Sequence, residues 1–289
     1  MTPPFVTIVG ETASGKSDLA MELAQKFNGE IICSDSWTVY KGFDVGTAKP
    51  GTPERDLIAH HLLDIADPAE GFSAVIFQRL AKNAIDDIIA RNKLPILVGG
   101  TGLYIDSILY DYSFLPPSDP ELRNYLNHLD LEQLIELAKE RGIDLTGIDL
   151  RNKRRVIRLI ENEGVRPTRK NLRQNTLVLG LKIEREELHE RMANRIDSMI
   201  RGGLEHEVRT LANKYGWDVE PMKGIGYREW REYLDGTQTL AETRERILKS
   251  SMDLAKRQRT WFKRNHSIQW VSDRSKAVMI MTTFLNKSN

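Results

Sequence analysis

Gly10-Glu11-Thr12-Ala13-Ser14-Gly15-Lys16-Ser17 satisfies the pattern G-x-x-x-x-G-K-[ST] at every fixed position. Before it, Phe5 to Val9 is a short apolar, β-rich run, and a helical pattern starts after Gly15. Strand, glycine-rich turn and helix in that order make a phosphate cradle. The glycines let the backbone wrap phosphate oxygens, while loop N–H groups and the helix N-terminus attract negative charge. Gly10, Thr12, Ala13, Ser14, Gly15, Lys16 and Ser17 are therefore the candidate phosphate-binding residues. Lys16 adds a full positive charge, and the Ser17 hydroxyl is the candidate Mg²⁺ ligand.

Working outward, Ile31 to Ser34 reads as a second strand that ends at Asp35, and Leu94 to Val98 as a third that ends at Gly99-Gly100. Ser73 to Asn92 is the clearest helix between them. Strands alternating with helices predict an α/β layer with a parallel sheet, whose ligands gather at the carboxyl ends of the strands. The third strand end, Val98-Gly99-Gly100-Thr101, lacks the acidic metal residue of a standard nucleotide hydrolase, so ATP hydrolysis is poorly supported. After Pro116-Pro117 a charged helical region runs to about Asn162, followed by a fourth strand at Leu177 to Leu181. A helical block from about Glu184 to Asp235, a long helix from about Leu240 to Arg264 and a closing strand at Ile268 to Val271 complete the chain. The expected architecture is a nucleotide-kinase-like P-loop core of residues 1–183 and 250–289, with a mostly helical insertion at 184–249.

Composition narrows the function classes. Of 289 residues, 40% are hydrophobic and 29% charged, which fits a globular protein and not a disordered one. Lys+Arg of 42 against Asp+Glu of 41 excludes a protein that is basic all over, but allows a basic face. The single cysteine, Cys33, can form neither an internal disulfide nor a structural zinc site, so a reducing compartment fits. No apolar run is long enough to span a membrane and no basic leader opens the chain; the expected location is the cytoplasm. His60-His61 has no partners at metal spacing and reads as structural; Cys33 reads as packed within its strand.

Longer motifs follow the phosphate loop. They are Asp35-Ser36-x-x-Val39-Tyr40-Lys41-Gly42, Asp44-x-Gly46-Thr47-Ala48-Lys49-Pro50, His60-His61-Leu62-Leu63-Asp64, Val98-Gly99-Gly100-Thr101-Gly102-Leu103-Tyr104 and Ala255-Lys256-Arg257-Gln258-Arg259-Thr260-Trp261-Phe262. In this order, from Gly10 to about Phe262, the chain resembles the tRNA dimethylallyltransferase (tRNA isopentenyltransferase) family, in its short bacterial form. The resemblance implies transfer of a dimethylallyl group from dimethylallyl diphosphate to N6 of the adenosine beside the anticodon of tRNA (tRNA position 37), with Mg²⁺ as cofactor. It implies Asp35 as general base, with Thr101 between donor and target nucleotide and Lys16 stabilising the leaving diphosphate. Read alone, Asp35 could equally be a helix N-cap or a carboxylate behind a metal. Adenine N6 in a structured loop is reachable only once the nucleotide turns out of its stack.

The resemblance implies tRNA contacts at Asp35, Ser36, Trp37, Thr38 and Thr101, at Arg123, and in the basic run Arg151, Lys153, Arg154, Arg155 and Arg158. On residue type alone that run reads better as a solvated helix face. In the last long helix, Ile247, Leu248, Leu254, Ala255, Trp261 and Phe262 share one face. Arg246, Lys249, Lys256, Arg257, Arg259, Lys263 and Arg264 share the other, an anchored helix presenting a basic stripe that includes the expected tRNA contacts Arg257 and Arg259. Two positions depart from the family pattern: Glu11 stands where proline is usual, and Thr38 replaces a glutamine. An acidic side chain beside a diphosphate must point away from it. A monomer is the expected state. A small-molecule kinase, an adenylate isopentenyltransferase and an RNA-binding protein with nucleotide as a structural switch are the competing readings. The basic helices favour a polymeric acceptor.

Overall fold

The computed structural model describes residues 2–116 and 118–288; Pro117, half of the dipeptide at which the sequence changes character, lies outside them. Its strands are β1 (Phe5–Val9), β2 (Gly29–Ser34), β3 (His60–His61), β4 (Leu94–Gly99), β5 (Thr176–Leu181) and β6 (Ile268–Val271). The helices are α1 (Lys16–Lys26), α2 (Thr52–Leu57), α3 (Ala74–Ala90), α4 (Gly102–Leu109), α5 (Pro120–His128), α6 (Leu131–Glu140), α7 (Lys153–Glu161), α8 (Arg185–Arg201), α9 (Leu204–Tyr215), α10 (Arg231–Leu234), α11 (Leu240–Phe262) and α12 (Arg274–Ser288).

One sheet runs in the order β3-β2-β4-β1-β5-β6, and every pairing is parallel. Every residue of β1 and β4 is buried, as expected of strands covered on both faces. Register decides where the site forms. Val9 of β1 and Ser34 of β2 both lie level with Gly99 of β4, so the three chains leave the sheet side by side as Gly10, Asp35 and Gly100. The edge strand β3 was not legible as a strand: two histidines carry no alternating apolar pattern. Its side chains fasten it, His61 Nε2 lying 2.7 Å from Glu30 Oε2 and His60 Nδ1 2.7 Å from the Ile58 carbonyl.

Two of the apolar clusters position the site. Val6, Ile8, Ile96, Val98, Leu177 and Leu179 pack with Leu19 and Leu23 of α1 and Met281 of α12. Val39, Tyr40 and Phe43, just after β2, pack instead with Met192, Ile196, Leu204, Val208, Tyr227, Trp230 and Ile247.

The second core corrects the expected domain division. The chain forms two compact units, Met1–Leu109 with Leu172–Asn289, and Tyr110–Asn171. The separate unit is thus the charged region after β4, not 184–249. Helices α8 and α9 belong with the sheet because their apolar faces bury the segment that follows β2, and a sequence pattern shows an apolar face without naming its partner. Tyr110–Asn171 has its own core of Leu126, Leu134, Ala138, Val156, Ile157 and Ile160. Among the described residues no helix is long and apolar enough to cross a membrane.

Candidate active site

The phosphate loop is shaped by two left-handed residues, Ala13 (φ 61°) and Gly15 (φ 87°), the latter capping α1. Alternating hand turns successive N–H groups toward one concavity, which suits an anion. Glycine adopts this conformation freely; for Ala13 it costs roughly 1–2 kcal/mol. Lys16 Nζ donates to the Glu11 carbonyl at 3.1 Å. Burial, and then repulsion from Arg195, push the Lys16 ammonium down to about 8, against the opposing pull of Asp35 and Glu11. Ser14 Oγ is buried and makes no hydrogen bond, while Ser17, in the first turn of α1, is exposed. Among the described residues no three carboxylate, His or Cys side chains cluster as a metal cage. One hydroxyl beside a phosphate cradle is nevertheless the donor set of a Mg²⁺ held mainly by water and ligand phosphates. The residues present fit such an ion, with Ser17 as the protein ligand.

Beyond β2, Asp35 Oδ1 accepts from the backbone N–H of Trp37 at 2.8 Å and of Thr38 at 3.3 Å. Asp35 thus caps a turn, where its N-cap reading expected a helix. Its other oxygen, Oδ2, has no hydrogen-bond partner among the described residues, so capping leaves a proton acceptor available. Thr101 Oγ1 accepts from Ser36 N at 3.2 Å, tying the end of β4 to the residue after Asp35. Trp37 donates its indole N–H to the Pro221 carbonyl at 2.9 Å, and Thr38 Oγ1 is buried without a partner. A cavity of about 240 Å³ is lined by Thr12, Asp35, Trp37, Thr47, Arg195 and Arg257, with Gly224-Ile225-Gly226 along one side.

Sequence reading missed four contributors. Arg195 of α8 lines the cavity and donates to the Thr47 carbonyl at 3.1 Å; burial depresses its pKa, with Asp35 pulling the other way. One turn earlier Arg191 Nη1 approaches the Ser14 carbonyl at 3.5 Å. Their spacing of four puts both on one helix face, so the signal was present. Glu207 of α9 accepts from the N–H groups of Asp44, Val45 and Gly46 and from the Tyr227 hydroxyl, holding the loop that forms a cavity wall. No local pattern announces that role. Gln258 of α11 joins the phosphate loop to the end of β4.

The expected nucleic-acid residues divide by what else they hold. Arg123 and Arg158 both pair with the buried carboxylate of Glu161, and Arg158 also donates to the carbonyls of Leu115 and Pro116. Arg154 and Arg155 are exposed on the same helix, α7. Glu11 turns away from the loop and pairs with Arg259 through Nε and Nη2, so Arg259 is engaged within the chain while Arg257 is exposed at the cavity. Phe262 is core; Trp261 is half-buried and donates its indole N–H to Asp106 at 2.9 Å.

A parallel sheet carrying this loop at the end of an inner strand places the chain among P-loop proteins, and the carboxylate and cations around one cavity suit group transfer more than hydrolysis. The family model for IPP transferase matches residues 38–265, and the chain belongs to that family. It is 43% identical to the tRNA dimethylallyltransferase of Geobacillus thermodenitrificans, over 93% of this chain and 90% of that protein. A crystal structure of the full-length tRNA isopentenylpyrophosphate transferase of Bacillus halodurans is similar with a TM-score of 0.76 at 36% identity, covering 98% of this chain and 96% of that one. A eukaryotic dimethylallyltransferase captured acting on tRNA is similar with a TM-score of 0.80 at 27% identity, covering 99% of this chain and 80% of that one.

Proposed function

We propose that this protein transfers a dimethylallyl group from dimethylallyl diphosphate to N6 of the adenosine beside the anticodon of tRNA, releasing diphosphate. The observation that carries the reading is that Asp35 and Arg195 line one cavity, with Lys16 of the phosphate loop within electrostatic reach of both, in a chain of the IPP transferase family. The exocyclic amine is a weak nucleophile because its lone pair is delocalised into the ring. In the proposed step N6 attacks the allylic carbon, the C–O bond breaks, and its electron pair leaves on the diphosphate. Asp35 Oδ2 takes the N6 proton, a contribution of roughly 10²–10⁴ in rate. The loop amides, Lys16 and Arg195 meet the charge that grows on the leaving oxygen, the largest expected electrostatic contribution. Mg²⁺ held at Ser17 would supply further neutralisation of the diphosphate. Thr101, through Ser36 N, keeps the Asp35 turn against the end of β4. The anticodon stem-loop would be bound by Trp37 and Arg257 at the cavity, by the adjoining Ser36 and Thr38, and by Arg154 and Arg155 on α7.

The test is transfer of labelled dimethylallyl from its diphosphate, with Mg²⁺, to unmodified tRNA beside parallel reactions offering AMP or ATP. Label in tRNA alone is the expected result. Label on free nucleotide would make this an adenylate enzyme, and ATP consumed without prenyl transfer would make it a kinase.

A further inference from the structure

Gln258 lies near the C-terminal end of α11 and is 9% exposed. Its Oε1 accepts from the backbone N–H of Thr12 at 2.8 Å, and its Nε2 donates to the Gly100 carbonyl at 3.1 Å. One amide group thus spans the phosphate loop and the loop after β4. Thr12 precedes the loop's left-handed turn, and Gly100 precedes Thr101, whose hydroxyl holds the Asp35 turn. The space is made for the amide: a Cβ on Gly100 would stand 2.2 Å from Nε2. The next residue, Arg259, grips Glu11, so α11 holds two consecutive residues of the phosphate loop. Among the described residues of α11 only Gln258 bonds to both loops.

We infer that Gln258 is a positioning residue, setting the distance between the donor loop and the Asp35–Thr101 turn so that the allylic carbon and the acceptor amine meet. This rests on the function proposed above. Among the described residues no other group bonds the Thr12 N–H or the Gly100 carbonyl. Losing them frees the two loops to shift separately, and a misplacement on the order of 1 Å costs about 100-fold in rate.

Gln258→Met keeps length and apolar volume but removes both hydrogen bonds; Gln258→Glu keeps an acceptor for Thr12 N–H and sets an oxygen against the Gly100 carbonyl. In native tRNA transfer assays, with rates normalised to the fraction of protein that binds inorganic diphosphate, both variants are expected to lose roughly 10- to 100-fold in kcat. KM for donor and for tRNA should stay within about threefold, and the normalisation to diphosphate-binding protein removes the loss of apparent kcat that unfolded protein alone would give. Hydrogen exchange without substrates gives an independent reading. Gln258→Met should quicken exchange by roughly 3- to 10-fold in both 11–17 and 99–103, and Gln258→Glu chiefly in 99–103. Wild-type kcat in Gln258→Glu would overturn the bridge, since anchoring the phosphate loop alone would then suffice. Unchanged exchange in both segments of Gln258→Met would overturn it whatever reaction the protein catalyses. Absence of prenyl transfer by the unsubstituted protein, with exchange responding as expected, would instead defeat the proposed function.

Discussion

Asp35 shows how one carboxylate can serve structure and chemistry together. Oδ1 is committed to the turn amides of Trp37 and Thr38 while Oδ2 is not, so an asparagine can keep the turn and lose the proton acceptor. Asp35→Asn is therefore expected to lower the single-turnover rate of prenyl transfer by roughly 10²–10⁴ and to leave tRNA affinity, measured by filter binding, within about threefold. Lys16 makes a different kind of statement. Burial and the Arg195 charge bring it down to about 8 in the free protein. A diphosphate prefers the protonated ammonium, so donor binding is strong below that value and weakens as pH rises through it. kcat/KM for the donor should fall above pH ~8, by up to about tenfold per unit, and Lys16→Arg should flatten the fall because guanidinium does not titrate there.

At the scale of elements, α8, α9 and α11 each bury one face and lend the other to the site. On α9, Glu207 collects three backbone N–H groups and a tyrosine hydroxyl on one carboxylate. Glu207→Ala strands those donors and is expected to cost about 1–3 kcal/mol in urea unfolding. Along α11 the basic stripe is not uniform. Arg259 is spent on Glu11, whereas Arg257 is exposed at the cavity. Arg257→Ala should weaken tRNA binding several-fold more than Arg259→Ala, and should lower the salt dependence of that binding where Arg259→Ala leaves it nearly unchanged.

Over the whole molecule the chain leaves the sheet unit after Leu109, builds Tyr110–Asn171 around its own apolar cluster, and returns at Leu172. Separate cores imply separate opening. Leu134, fully buried in the smaller unit, is expected on substitution by Ala to cost about 2–5 kcal/mol there. Hydrogen exchange should then accelerate across 120–161 while β1 and β4 keep their protection. Acceleration in the sheet as well would mean the two cores unfold as one.

What the sequence determined by itself is whatever depends on neighbours along the chain. The spacing of Gly10, Gly15, Lys16 and Ser17 dictates a cradle because the loop closes on its own backbone, and the apolar runs dictate β1, β2, β4 and β5 because each is a largely buried strand, whereas β6 buries only its two end residues. The motif series likewise carried the family. Only the tertiary structure decided which helix faces meet which loops. Arg195 reaches the cavity because α8 packs on Val39 and Phe43, Glu207 finds its amides because α9 lies over residues 44–46, and Gln258 spans two loops because β1 and β4 end level. The same limit misplaced the insertion, since 184–249 and 110–171 are both charged and helical in sequence. They differ in what their apolar faces bury, and that depends on contacts between residues far apart in the chain.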